Sequence, residues 1–262
     1  MSIVTLEGDF IHYEVLGRGR PLIFLHGWVG SWRYWIPTMQ AASISFRTYA
    51  IDLWGFGDTV KRSEKYNIDQ QASLVNSFMD EMGIGKIAIV GHGLGAVVAL
   101  SFVQLYPNIV DRLMLTGFPM QSSAINPRLK SAPVTELADW LLGKVPAAEA
   151  ARIEAPKADV QAIRVSLEML DELNIVDLVM GMTTPCLFVY GQSDPAVEIP
   201  SIELSATLPE STHQVVFEAS GHFPMLDEPT KYNRLLADFL ALQSGESPRD
   251  LQLKEEWKRR IR

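Results

Sequence analysis

The chain has 262 residues, 47% hydrophobic and 21% charged, with a formal net charge of −8. This length and composition suit one large α/β domain, or two small ones, with a sizeable core. The acidic balance argues against a nucleic-acid surface. The lone Cys186 excludes an internal disulfide. No window nears the ~18 consecutive apolar residues of a membrane span.

In chain order, IVTLEG and FIHYEVLG read as a strand hairpin around Gly8-Asp9. No signal peptide is expected, because MSIVTLEGDF has neither a basic head nor a long apolar core. After the turn Gly17 to Arg20 comes the strand PLIFLHG, then a short helical piece near Trp32 to Met39, then the strand FRTYAIDL. Asn67 and Gln70 make a capping box. It opens a helix whose Leu74, Val75, Phe78, Met79 and Met82 recur at helical spacing. KIAIVGH is a strand, Gly93 to about Tyr106 a helix, and DRLMLTGF a strand.

From about Phe118 to Thr184 there is no strand pattern, only prolines and helical stretches such as VTELADWLLG and ADVQAIRVSLEML. A helical lid is expected over about 119–182. The alternation resumes with PCLFVYG, a helix, HQVVFE, and a helix from Pro229 to Gln243. Cys186 sits in the first of these runs and is expected to be a buried thiol. That suits a reducing, cytoplasmic location. Alternating strands and helices predict one domain over 1–262, with a mostly parallel sheet covered on both faces and the first two strands as its antiparallel edge.

The tail, about 247–262, is basic. Leu253, Trp257 and Ile261 would line one side of a helix, amid Arg249, Lys254, Lys258, Arg259, Arg260 and Arg262. It is read first as a helix docked on its own domain, and otherwise as a homodimer contact or a contact to an acidic partner or membrane surface.

In an open parallel sheet the chemistry gathers past the C-terminal ends of the strands. After PLIFL stands His26-Gly27-Trp28, and after YAI stands Asp52-Leu53-Trp54-Gly55-Phe56-Gly57. After IAIV stands Gly91-His92-Gly93-Leu94-Gly95, after LFVY Gly191-Gln192-Ser193-Asp194, and after VVFEAS Gly221-His222-Phe223-Pro224. The order and spacing of these five pieces resemble the α/β-hydrolase superfamily from residue 1 to about 243. The resemblance implies an eight-stranded α/β-hydrolase sheet flanked by helices. It implies His222 as general base, Asp194 as the acid that orients it, and the backbone N–H groups of Trp28 and Leu94 as an oxyanion hole.

The resemblance fails at the nucleophile, where Gly93 replaces the serine of Gly-x-Ser-x-Gly. No other such motif occurs, and Ser193 follows a different strand. His26 is read as fixing loop backbone, and His12 and His213 as strand residues without a function. The direction of His92 is open. Trp28, Trp32, Trp35 and Trp54 are read as pocket mouth or core. The elbow needs φ > 0, which glycine adopts with little penalty, whereas strain there costs about 1–3 kcal/mol. Losing the nucleophile of such a triad lowers kcat by about 10⁶, while the oxyanion hole and binding keep about 10³–10⁴ over water.

A non-covalent route therefore stays open. The missing CH₂OH leaves room for roughly one water, which His222 could activate. Equally, the dyad could move a proton on a carbonyl compound, as in lyase, isomerase or cofactor-free oxygenation chemistry. The expected substrate is a small, fairly apolar ester, amide or carbonyl compound, with no cofactor and no metal. Three alternatives stand beside this reading. One is a catalytically silent relative that binds a small ligand or protein partner. Another is a serine enzyme inactivated by a Ser-to-Gly change. The third is nucleotide binding through Gly91-x-Gly93-x-x-Ala96, which is disfavoured because that fingerprint belongs on the first strand–helix unit.

Overall fold

The computed structural model describes residues 2–243 and 246–251. Eight strands form one sheet: β1 (Ser2–Leu6), β2 (Asp9–Leu16), β3 (Arg20–Leu25), β4 (Phe46–Ile51), β5 (Ile87–His92), β6 (Val110–Thr116), β7 (Cys186–Gly191) and β8 (Thr212–Phe217). Their spatial order is β1-β2-β4-β3-β5-β6-β7-β8. The pairings β1–β2 and β2–β4 are antiparallel and all others parallel. The predicted α/β-hydrolase sheet and its antiparallel edge are therefore present.

The hairpin turn sits one residue earlier than the sequence suggested. Glu7 and Gly8 both have positive φ (50° and 88°), the twist a two-residue hairpin loop requires, and Asp9 already belongs to β2. Every residue of β5 and β7 is buried. Strands covered on both faces read as unbroken apolar runs rather than as alternation, which is why IAIV and CLFVY were legible.

The helices are α1 (Ile36–Ala42), α2 (Ile68–Glu81), α3 (Leu94–Leu105), α4 (Arg128–Ser131), α5 (Val134–Leu141), α6 (Glu149–Glu154), α7 (Val160–Met169), α8 (Ile175–Met180), α9 (Ile202–Thr207), α10 (Pro224–Asp227) and α11 (Pro229–Ala241). α3 packs on β3, β5, β6 and α2, while α1 packs on β4 and α11. Asn67 Oδ1 accepts the Gln70 N–H at 2.8 Å, one half of the predicted box. Leu74, Val75, Phe78 and Met79 face the core from α2, whereas Met82 is only half-buried. Helices α4 to α8 all lie between β6 and β7.

Of the tail, Arg249 hydrogen-bonds the carbonyls of Leu208 (2.7 Å), Pro209 (3.1 Å) and Thr212 (3.1 Å), which holds the chain against the start of β8. Leu253, Lys254, Trp257, Lys258, Arg259, Arg260, Ile261 and Arg262 lie outside the described residues. No helix among the described residues is long and apolar enough to cross a membrane.

Candidate active site

Gly93 stands between β5 and α3 as the N-cap of α3, with φ 49° and ψ −112°. An L-residue enters that region only with strain. The turn can be this sharp because Gly95 follows. A Cβ on Gly95 would run into the carbonyl of Leu25 and come within 2.7 Å of His26 O. The Gly95 N–H donates to His26 O at 2.9 Å. The elbow is thus fastened to the loop after β3, and Gly27 Cα lies 3.4 Å from where a Cβ on Gly93 would be. The two expected oxyanion donors, the amides of Trp28 and Leu94, come from these two touching loops. Neither amide carries a hydrogen bond among the described residues.

The dyad partners come from β7 and β8. Asp194 follows β7, and its Oδ1 accepts the N–H groups of Ala196 (2.8 Å) and Val197 (3.2 Å). Its Oδ2 lies 2.8 Å from His222 Nδ1. His222 is 2% exposed, and Gly117 lies against its ring: a Cβ there would be 3.3 Å from Cε1. With Nδ1 held by a carboxylate, Nδ1 carries the proton and Nε2 is the nitrogen available to a substrate. The structure therefore brings Gly93 against the Trp28 loop and Asp194 against His222.

One feature was not foreseen. The Trp28 indole lies against Gly93, with Cε3 3.0 Å and Cζ3 3.1 Å from the Cβ position. Its Nε1–H donates to Ser166 Oγ of α7 at 3.1 Å, and Ser166 Oγ in turn donates to Ile163 O at 2.9 Å. The space assigned to a water is therefore bordered by an anchored ring. The other tryptophans are elsewhere. Trp35 is packed between Phe24 and Tyr232, Trp54 lies under Lys65, and Trp32 lies beside His12.

The remaining histidines sort by their partners. His26 Nε2 accepts the Leu53 N–H at 3.0 Å, and its Nδ1 donates to Gly27 O at 2.8 Å, so it does fix loop backbone. Burial holds its pKa below the usual histidine value. His12 Nδ1 pairs with Asp52 Oδ2 at 2.8 Å. Burial works against its proton, but Asp52 prevails and raises its pKa. His12, Asp52 and Asp58 come close enough together to hold an ion. The Asp52 oxygens, however, already accept the Trp32 and Asp58 amides, so these groups read as a loop clasp.

His92 is fully buried, with Nδ1 2.9 Å from Tyr34 Oη and Nε2 2.9 Å from the His222 carbonyl. Burial first, and then the nearby His222, push its pKa well below the usual value. Sequence reasoning missed Tyr34 and Ser166 altogether. Neither sits in a motif, and only packing aims them at the site. A cavity of about 260 Å³, lined by Arg20, Thr38, Phe46, Asn233 and Leu236 among others, lies where β3 and β4 begin. That is the opposite edge from the dyad, so it is not part of this site.

The family described by the α/β hydrolase fold matches residues 20–151. The chain belongs to the α/β-hydrolase fold family. Among its relatives, the pimeloyl-[acyl-carrier protein] methyl ester esterase of Vibrio parahaemolyticus serotype O3:K6 is 25% identical over 254 residues, covering 87% of this chain and 97% of the relative. Among solved structures, a serine-to-glycine mutant of the N-acyl homoserine lactonase AidH, complexed with N-hexanoyl homoserine lactone, superposes with TM-score 0.81. It is 22% identical, with 91% of this chain and 96% of that chain covered. E-2-(acetamidomethylene)succinate hydrolase gives TM-score 0.78 at 21% identity, with 92% and 98% covered. The α/β-hydrolase sheet is thus shared with hydrolases, and these solved structures establish the fold alone.

Proposed function

We propose that this α/β-hydrolase is an enzyme acting on a small, fairly apolar ester, or a related amide or carbonyl compound, without a covalent acyl-enzyme intermediate. The observation that carries the reading is the buried His222–Asp194 pair, 2.8 Å apart, and the Trp28 and Leu94 amides, which have no partner among the described residues, support it. An ester is the first substrate to try, because a relative aligned over 87% of this chain is a methyl ester esterase. For an ester, a water oxygen adds to the carbonyl carbon and His222 Nε2 takes its proton. The oxyanion sits on the Trp28 and Leu94 amides. When the carbonyl re-forms, the alkoxide leaves with the proton held by His222. Asp194 keeps the imidazole in the required tautomer and stabilises its charge. Helices α4 to α8, within about 119–182, act as the lid, and Ser166 of α7 accepts the Trp28 indole N–H. The buried single thiol suits a cytoplasmic setting, and a homodimer through the basic tail would show as a doubled mass in sedimentation.

The anchored Trp28 ring favours a second reading, a silent relative whose nucleophile space is closed. Hydrolysis of p-nitrophenyl acetate and butyrate by the unmodified chain, Gly93→Ser and His222→Ala separates the two. The proposal expects slow turnover without a burst, lost in His222→Ala. Equal rates for the unmodified chain and His222→Ala would sink it. A Gly93→Ser variant about a thousandfold faster, with an acyl-enzyme burst, would instead mark the chain as a serine enzyme lacking only its nucleophile.

A further inference from the structure

The loop bearing His222 and the loop bearing the Trp28 amide are far apart in the sheet. They follow β8 and β3, with β5, β6 and β7 between them. Four strand steps at ~4.8 Å each make roughly 19 Å. Sheet twist varies by several degrees per step, so the ladder alone does not hold the base and the oxyanion donors in register. A line of three buried hydrogen bonds takes a shorter path. The Gly27 N–H donates to Tyr34 Oη at 2.7 Å. Having accepted there, Tyr34 donates its own proton to His92 Nδ1 at 2.9 Å. His92 Nε2–H then donates to the carbonyl of His222 at 2.9 Å. The rings pack along the same line, His92 tilted against His222 at 4.6 Å and against Phe223 at 4.7 Å, with Tyr34 edge-on to His92 at 5.7 Å.

We propose that Tyr34 and His92 are positioning residues, a strut that sets the distance between the His222 base and the Gly27-Trp28 oxyanion loop. The inference rests on the reading of His222 as the base. Two facts separate it from ordinary core packing. First, Tyr34 is 1% exposed and His92 fully buried, where an aliphatic pair would avoid the desolvation cost of a hydroxyl and an imidazole. Second, the donor sequence has one direction only. A backbone N–H can only donate and a carbonyl can only accept, so the hydroxyl hydrogen of Tyr34, the ring hydrogen of His92 and its Nδ1 lone pair are all assigned. A proton added to His92 would point Nδ1–H at the tyrosine hydroxyl, whose hydrogen would then lose its acceptor. The strut therefore works with neutral His92. The titratable groups facing it are His222 and Tyr34, with His26 nearby, and its depressed pKa agrees with this state.

The test is proton NMR of ¹⁵N-labelled protein, following the His222 Nδ1 proton that Asp194 holds, in Tyr34→Phe, His92→Ala and His92→Gln. Glutamine keeps one donor and one acceptor at the end of its side chain. The strut predicts that Tyr34→Phe and His92→Ala shift this proton and speed its exchange with solvent about tenfold, the factor carried by one lost buried hydrogen bond. It predicts that His92→Gln stays near the unmodified protein. Unchanged His222 signals in folded Tyr34→Phe and His92→Ala would overturn it, and so would a Gln variant that behaves like Ala. Should His92→Ala fail to fold, Tyr34→Phe, which deletes one oxygen, decides alone. If the unmodified chain hydrolyses no ester while the signals respond as predicted, the strut stands and the catalytic reading of His222 falls.

Discussion

Gly93 meets two separate demands, and a serine there fails both. Its φ of 49° strains any L-residue, and a Cβ would sit 3.0 Å from the Trp28 ring. Gly93→Ser is therefore expected to lose about 1–3 kcal/mol of stability in urea denaturation. Shrinking the neighbour to phenylalanine should return part of this loss. Trp28→Phe and Gly93→Ser are then non-additive, whereas additive losses in the double-mutant cycle would show that the ring yields freely. In the proposed reaction Asp194 acts through His222, which its Oδ2 holds at 2.8 Å. In Asp194→Asn the amide can hold His222 in the wrong tautomer, so His222-dependent turnover should fall by about 10⁴ with KM little changed. A fall confined to KM would show that Asp194 serves binding instead.

The elbow works as an element because α3 is pressed onto the end of β3. The contact is backbone to backbone: a Cβ at Gly95 would be 2.5 Å from Leu25 C, and neither partner can rotate away. Gly95→Ala should cost about 3 kcal/mol or more, or prevent folding, read from the denaturation midpoint. The helices between β6 and β7 are joined to the core by softer means. Glu154, whose side chain is 3% exposed, pairs with Arg33 and Lys157 at 3.0 Å each and accepts from Ser31 at 3.2 Å. Tyr66 Oη donates to Asp159 at 2.8 Å. Ser166→Ala removes the hydrogen bond to Trp28 and should cost only about 1 kcal/mol. Its larger effect is expected in tryptophan fluorescence, as the indole loses its anchor; an unchanged spectrum would show that packing alone holds the ring.

Across the whole molecule, buried and half-buried histidines contribute to the response to acid. His92, His26 and His213 all have pKa values lowered by burial. As pH falls through the unfolded value near 6.5, the unfolded chain binds these protons first. Their contribution to stability is complete above that pH and is lost below it. His12 has the opposite sign, since Asp52 raises its pKa; its contribution is present below 6.5 and lost as pH rises through the folded value. Three groups against one predict a lower guanidinium midpoint at pH 5.5 than at pH 7.5. His92→Gln, which has no proton to gain, should flatten that slope, and an equally steep slope would show that His92 is not a main source of it.

The amino-acid sequence alone determined the order of strands and helices and which residues stand at the strand ends. Both are written in local pattern: apolar runs such as CLFVY bounded by glycine turns, with His26, Gly93, Asp194 and His222 each just past one of them. It also showed that a glycine, Gly93, stands in the Gly-x-Gly-x-Gly turn, since a missing side chain needs no structure to be seen. Only the tertiary structure decided that β4 lies outside β3, that the Trp28 ring closes on Gly93, and that Tyr34 and His92 bridge two loops four strands apart. Those relations join residues distant in the chain. The direction a buried ring takes depends on the neighbours that surround it, not on the residues beside it in sequence.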